Sequence, residues 1–175
     1  MPERYPIRLA GAAELTRLQE IEQAASHLFV GSDFADLVDG PPIPLAALGD
    51  YQAAGQIWVA VDAADQPVAF AIVRLHSAAV HLHELDVHPD HGRRGIGGRL
   101  VRAVADWARA RGFAALTLST FRDIPWNAPL YARMGFVSLA DAELTPELLE
   151  IRRHEAEAGL PIERRVCMRW AFSDQ

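Results

Sequence analysis

Apolar residues recur three and four positions apart at Leu15, Leu18, Ile21 and Ala25, which predicts an amphipathic helix over residues 14–28. The same period returns at Leu100, Val101, Val104 and Trp107, with Arg102, Asp106 and Arg109 on the opposite side. It predicts a helix over residues 98–111 that Gly112 stops. Elsewhere the period shortens to two or the apolar run is continuous. Residues 7–10 read as a short first strand, and residues 56–62 and 67–76 as a hairpin across Ala-Ala-Asp-Gln. Residues 79–88 and 114–120 are further strands, and the order strand, helix, strand reads as a right-handed parallel crossover. A short helix over residues 127–134 closes on Gly135, with Phe136 to Leu139 beyond it. Thr145, Pro146 and Glu147 supply an N-cap, a first-turn proline and an acidic first turn for a helix reaching Gly159. Val166, Met168, Trp170 and Phe172 then alternate in a last strand with one apolar face. Between residues 31 and 50 the pattern is mixed: Phe34, Leu37 and Val38 suggest one short helix, which Gly-Pro-Pro-Ile-Pro breaks. The elements add up to mixed α/β, one sheet with helices on its faces.

Composition narrows the class. A chain of 175 residues, half of them hydrophobic, is expected to form a single domain over residues 1–175 with a substantial core. The net charge of −6 argues against a nucleic-acid partner, which a basic face would announce. Cys167 is the only cysteine, so neither an internal disulfide nor a cysteine-rich zinc cage can form. The first ten residues lack the apolar run of a signal peptide, and no stretch approaches the roughly 18 apolar residues of a membrane helix. The expectation is a soluble, cytoplasmic domain with no membrane partner.

Four of the seven histidines stand at His81, His83, His88 and His91, just before a knot of glycines and arginines: Gly92, Arg93, Arg94, Gly95, Ile96, Gly97 and Gly98. Two chemistries compete for this stretch. His81 and His83 point the same way from one strand and could start a metal site, but Leu85 and Val87 continue that face and no third ligand has a clear spacing. The expectation is therefore no metal. The glycines offer an anion cradle, in which backbone approaches the ligand closely and the first N–H groups of the next helix point at it. The knot is not a Walker loop, because Gly98 and Arg99 stand where Lys and Ser or Thr are needed. Nor is it a dinucleotide fingerprint, because Leu100 takes the place of the third glycine.

The run from Leu85 to Leu100, the helix and strand after it, and Asn127-Ala-Pro-Leu-Tyr131-Ala-Arg-Met-Gly135-Phe136 together resemble the GCN5-related N-acetyltransferase family in order and spacing. The resemblance implies that family's fold: a single mixed, mostly antiparallel twisted sheet with a splayed parallel strand pair and helices on both faces. It implies acetyl-CoA as acyl donor, a primary amine of a small molecule as acceptor, and direct attack in a ternary complex. A protein N-terminus or lysine, or a non-catalytic acyl-CoA sensor, is the alternative, and a homodimer stays open. On the resemblance, the pyrophosphate rests on Gly92, Arg93, Arg94, Gly95, Ile96 and Gly97. The pantetheine arm pairs with the backbone around Leu85 and Val87, and side chains from Asn127 to Arg133 flank the CoA arm. Gly92 departs from the family, which usually has Gln or Arg at that place.

The chemistry needs a base for the ammonium and a proton for the departing thiolate. The resemblance assigns the proton to Tyr131. For the base, Leu82, Glu84 and Asp86 share one face of the strand, and two carboxylates there suggest that the face opens to a cleft. Glu84 is the choice, with His83 or a bound water as rivals. Phe29, Asp33, Phe34 and Asp36 lie where family members contact the acceptor. Phe121 and Trp126 either wall that pocket or pack as ordinary loop residues.

Overall fold

The computed structural model describes residues 5–33, 35 and 40–173. Its strands are β1 (Ile7–Leu9), β2 (Ile57–Val61), β3 (Pro67–Leu75), β4 (Ala79–Val87), β5 (Ala115–Phe121), β6 (Val137–Ser138) and β7 (Arg165–Ala171). The α-helices are α1 (Leu15–Ser26), α2 (Leu45–Ala53), α3 (Ile96–Ala110), α4 (Ala128–Met134) and α5 (Pro146–Glu157). The strands hydrogen-bond into one open mixed sheet, in the order β1-β2-β3-β4-β5-β7-β6. β4 and β5 run parallel, with Ala79 opposite Ala115 and Leu82 opposite Leu118, as the crossover pattern predicts. The pairs β1–β2, β2–β3, β5–β7 and β6–β7 are antiparallel. By compactness the chain divides into one unit of Met1–Val73 with Glu84–Val104, and another of Arg74–His83 with Ala105–Gln175.

In the first unit, β2 and β3 bury both faces, which is why their runs are continuously apolar. Ile57, Val59, Val61, Phe70 and Ile72 meet Leu18 and Ile21 of α1 and Leu48 of α2. On the opposite face Ala60, Val68 and Ala69 meet Tyr5 and, from α3, Ile96 and Leu100. Leu18 and Ile21 are fully buried, so the period that predicts α1 also fixes which side of it faces the sheet. Each such side chain contributes about 1.5–3 kcal/mol by leaving water.

Two elements differ from the pattern. Helix α2 lies where the sequence reads as mixed. It follows Pro44 and fully buries only Leu48, with Tyr51 half-buried against the same core, so it gives little periodicity to detect. The short helix expected around Phe34, Leu37 and Val38 falls on positions outside the described residues, apart from a helical turn at Ala35. Helix α3 begins at Ile96, two residues before the expected start, because Ile96 is itself buried and draws Gly97 and Gly98 into the first turn.

In the second unit, β5 lies against β7 with Leu116 opposite Trp170 and Leu118 opposite Met168. The expectation of one apolar face on β7 is incomplete. Cys167 points the other way and is also buried, with Leu139 and with Leu148 of α5, so α5 covers a face that alternation alone leaves to solvent. The Thr145 hydroxyl accepts a 3.3 Å hydrogen bond from the Leu148 N–H and starts α5 as the capping pattern predicts. Among the described residues, no helix is long and apolar enough to cross a membrane.

Candidate functional site

The first unit carries β4 from Glu84 onward, the glycine loop and the first turns of α3. Leu85 and Val87 are half-buried and pack on Ile96 and Leu100, so this face of β4 belongs to the α3 core. The His88 N–H donates to Val68 O at 2.9 Å, and a 3-10 turn over Pro89–His91 leads to the loop. Gly92 has an ordinary extended backbone, but a Cβ there would stand 3.1 Å from Pro89 O. The chain therefore has its own reason for glycine where the family uses a long polar residue. Arg93 instead takes the left-handed conformation, at φ 60°. That conformation costs an L residue about 1–2 kcal/mol, and such strain concentrates at functional sites. Gly95 is left-handed too, at φ 72°, with no other atom within 4 Å of where a Cβ would sit. The first backbone bond of α3 runs from Arg99 N to Gly95 O. The N–H groups of Ile96, Gly97 and Gly98 therefore have no acceptor within the helix. Arg94 is exposed, yet its Nη1 donates to the Tyr5 hydroxyl at 2.7 Å.

The carboxylate face of β4 is drier than its pattern suggests. Asp86 hydrogen-bonds with Glu84, and its Oδ2 is buried without a hydrogen-bond partner. Burial, then the charges of Glu84 and Glu22, hold Asp86 well above the usual carboxylate range. Glu22 comes from α1; both its oxygens accept from Ile43 N, at 3.2 and 3.0 Å, and burial raises it as well. Burial and these charges both favour the uncharged form of Asp86, beside Glu84. On this face the Asp86 Oδ2 atom is buried, while the residue as a whole is half-buried.

The second unit holds the histidines that raised the metal question. His81 is 2% exposed, bonds Thr117 Oγ1 through Nδ1 at 2.9 Å and stacks on His76 at 5.1 Å. Burial, then neighbouring His76, His83 and Arg74, pushes it down to about 3. His83 Nε2 lies 3.3 Å from Arg74 Nη2, and burial followed by that guanidinium pushes it down to about 4. A ring engaged by a guanidinium and reluctant to take a proton is a poor base, which counts against His83. No group of three His, Cys, Asp or Glu among the described residues is placed to hold a metal.

Tyr131 also lies in the second unit, on α4. It is 8% exposed, and its ring packs edge-on against Phe136 at 5.7 Å. Asn127 accepts the Tyr131 N–H through its carbonyl at 3.1 Å. The side-chain Nδ2 of Asn127 is buried with no hydrogen-bond partner, a donor for which the described residues offer no acceptor. Arg133 is exposed on the same helix, as is Trp126 just before it, whereas Phe121 is buried beneath the Arg165 guanidinium. Phe29 and Asp33 fall in the described residues of the first unit, half-buried and exposed; Phe34 and Asp36 lie outside them. Sequence reasoning missed Glu22 and Tyr5. Both reach the β4–α3 region from far along the chain, and no local pattern marks them.

A family model described as the acetyltransferase (GNAT) family matches residues 16–136. Among solved structures, the chain is similar to the N-acetylglutamate synthase of Neisseria gonorrhoeae in complex with coenzyme A and N-acetyl-glutamate. The TM-score is 0.72 at 14% identity, covering 97% of this chain but 35% of that one. It is also similar to the ribosomal-protein-S18-alanine N-acetyltransferase of Escherichia coli, with TM-score 0.67, 19% identity and coverage of 97% and 95%. The PaiA N-acetyltransferase of Thermoplasma acidophilum, in complex with coenzyme A, gives TM-score 0.67, 14% identity and coverage of 95% and 98%. At these identities the likeness is one of fold.

Proposed function

The chain belongs to the GNAT acetyltransferase family, and on that premise we propose that it moves the acetyl group of acetyl-CoA to a primary amine of a small molecule. The observation that carries the reading is the start of α3. A left-handed Gly95 with open space beside it leads into N–H groups that have no acceptor in the helix, with Arg93 and Arg94 alongside. That is the chemistry of a diphosphate cradle. In this reading Leu85 and Val87 offer backbone to the pantetheine arm, and Asn127 and Arg133 flank the CoA chain. The buried amide donor of Asn127 supports a ligand that brings an acceptor atom.

Acetyl-CoA supplies an activated acyl thioester; the residues move protons. The acceptor arrives as an ammonium and must give up a proton before it has a lone pair to attack with. Glu84 takes that proton directly or through a water, with Asp86 hydrogen-bonded beside it. A carboxylate at Glu84 favours a cationic acceptor. Tyr131 gives its phenolic proton, or a hydrogen bond, to the departing thiolate. A phenol has an ordinary pKa of about 10 and is protonated at neutral pH.

The test is an acceptor screen with amines, amino acids, polyamines and peptides, following release of the CoA thiol. Turnover confined to small amines supports the reading. Turnover only on peptides would move the acceptor to protein, the activity that the name of the Escherichia coli structure carries. Binding of acetyl-CoA without turnover on any class would defeat the enzymatic reading.

A further inference from the structure

Tyr5 lies far from the glycine loop in sequence but is bonded to it in the first unit. Its ring is 3% exposed and belongs to the core that holds Ile96 and Leu100. Its carbonyl accepts from Arg99 Nη2 at 2.7 Å, in the first turns of α3. Its hydroxyl accepts from Arg94 Nη1 at 2.7 Å and lies 3.0 Å from His91 Nδ1. The His91 ring stands edge-on to it at 5.6 Å. Arg94 Nη2 reaches Asp90 O at 3.4 Å. Because a guanidinium is planar, holding both terminal nitrogens fixes the plane of the fork.

We propose that Tyr5 is a positioning residue for acetyl-CoA: its hydroxyl holds the Arg94 guanidinium in place at the loop, so that the diphosphate meets a fork already ordered. The inference rests on the acetyl-CoA reading above. Two features separate this role from a plain structural tie. An exposed arginine has no need of a buried phenol for stability, since surface contacts of this kind contribute little. The phenol hydroxyl also joins His91, just before the loop, to Arg94 within it, while the carbonyl of the same residue holds Arg99 beyond it. A fork held in advance spares the ligand the cost of ordering a long side chain, roughly a two- to tenfold gain in affinity.

The test is calorimetric titration of the full chain with acetyl-CoA, for wild type, Tyr5→Phe, Arg94→Ala and the double variant, with initial rates on an acceptor that turns over. Tyr5→Phe keeps the ring in its core and deletes only the hydroxyl. The expected result is a Kd and a KM for acetyl-CoA raised roughly two- to tenfold, with the effect on KM rather than kcat. In the Arg94→Ala background Tyr5→Phe should add no further loss, and Arg94→Lys, which keeps the charge but not the fork, should recover only part. Wild-type affinity in Tyr5→Phe, losses that multiply in the double variant, or a fall in kcat and melting temperature at unchanged KM would each overturn the proposal. Arg94→Ala is exposed and tests the same link if Tyr5→Phe does not fold. Failure of the wild-type chain to bind acetyl-CoA would sink the functional reading itself, and this inference with it.

Discussion

Gly95→Ala asks whether the glycine is there for the turn or for a ligand, and Gly112→Ala supplies the control. Both glycines are left-handed, at φ 72° and 83°, and neither has another atom within 4 Å of a Cβ position. An alanine at either place bears the same backbone penalty, about 1–2 kcal/mol. The stiffer unfolded chain offsets roughly 0.4–1 kcal/mol of it. The net loss of about 1 kcal/mol should lower the melting temperature by about 2–4 °C in a chain of this size, equally for the two variants. Affinity should separate them. Gly95 directly precedes the N–H groups without helical acceptors, and a methyl group there holds an anion off them. Losing one hydrogen bond to a charged group costs about 1.5–3 kcal/mol, so Kd for acetyl-CoA should rise about ten- to a hundredfold in Gly95→Ala and stay at the wild-type value in Gly112→Ala. Thermal unfolding and calorimetric titration of the two purified variants read both quantities. Equal melting losses with wild-type affinity in both would show that Gly95 serves only the turn, and the cradle would be wrong.

Tyr131→Phe should keep the edge-on packing on Phe136 and leave stability nearly unchanged, while turnover falls roughly 10²- to 10⁴-fold; wild-type turnover with chemistry limiting would make the residue a wall. Glu84→Gln should lower turnover with a loss that eases at high pH, and relief of repulsion should drop the Asp86 pKa, measurable by carboxyl NMR; an unchanged pH profile would pass the base role to water. Adding zinc or a chelator should change neither activity nor melting temperature, and stoichiometric metal lost together with activity would revive the histidine pair. For His81 and His83 the folded chain holds the neutral ring, to about 3 and about 4. The unfolded chain takes up protons from about pH 6.5. Stability should therefore be full above that pH and fall as pH drops toward 4, by up to about 1.4 kcal/mol per unit for each ring. Chemical denaturation between pH 7 and 4 checks it, with His81→Gln expected to flatten the slope.

Long elements with a strong period were legible in the sequence. Leu100, Val101 and Val104 mark one side of α3, and all three are fully buried. Helix α2 was not legible, because Leu48 is its one buried residue and prolines precede it. The glycine knot marked a candidate anion cradle, but not that Arg93 would be left-handed, since a neighbouring glycine is the more obvious residue for that conformation. Alternation put Glu84 and Asp86 on one face. It carried no information on the charge environment of that face, because Glu22, which acts on Asp86, comes from α1, far away in the chain.

The titrating groups show why pattern alone does not assign acid and base. Burial raises Asp86 and lowers His81 and His83, yet it does the same physical thing to all three: it favours whichever form is uncharged. An isolated His83 would have been the natural base near neutrality, and the structure turns it into a neutral ring that accepts from Arg74. An isolated Asp86 would have been ionised, and the structure shifts it toward its uncharged form beside Glu84. Burial drives both reversals, and residues on other elements add to it: Arg74 for His83, and Glu22, after Glu84 on the same strand, for Asp86. Within the proposed function Glu84 is chosen as the base because Asp86 is hydrogen-bonded beside it and the rival histidine is engaged by Arg74. Strand position favoured Glu84 through the face it shares with Asp86, and the contact of His83 with Arg74 adds a second reason to prefer it over the preceding residue on the strand.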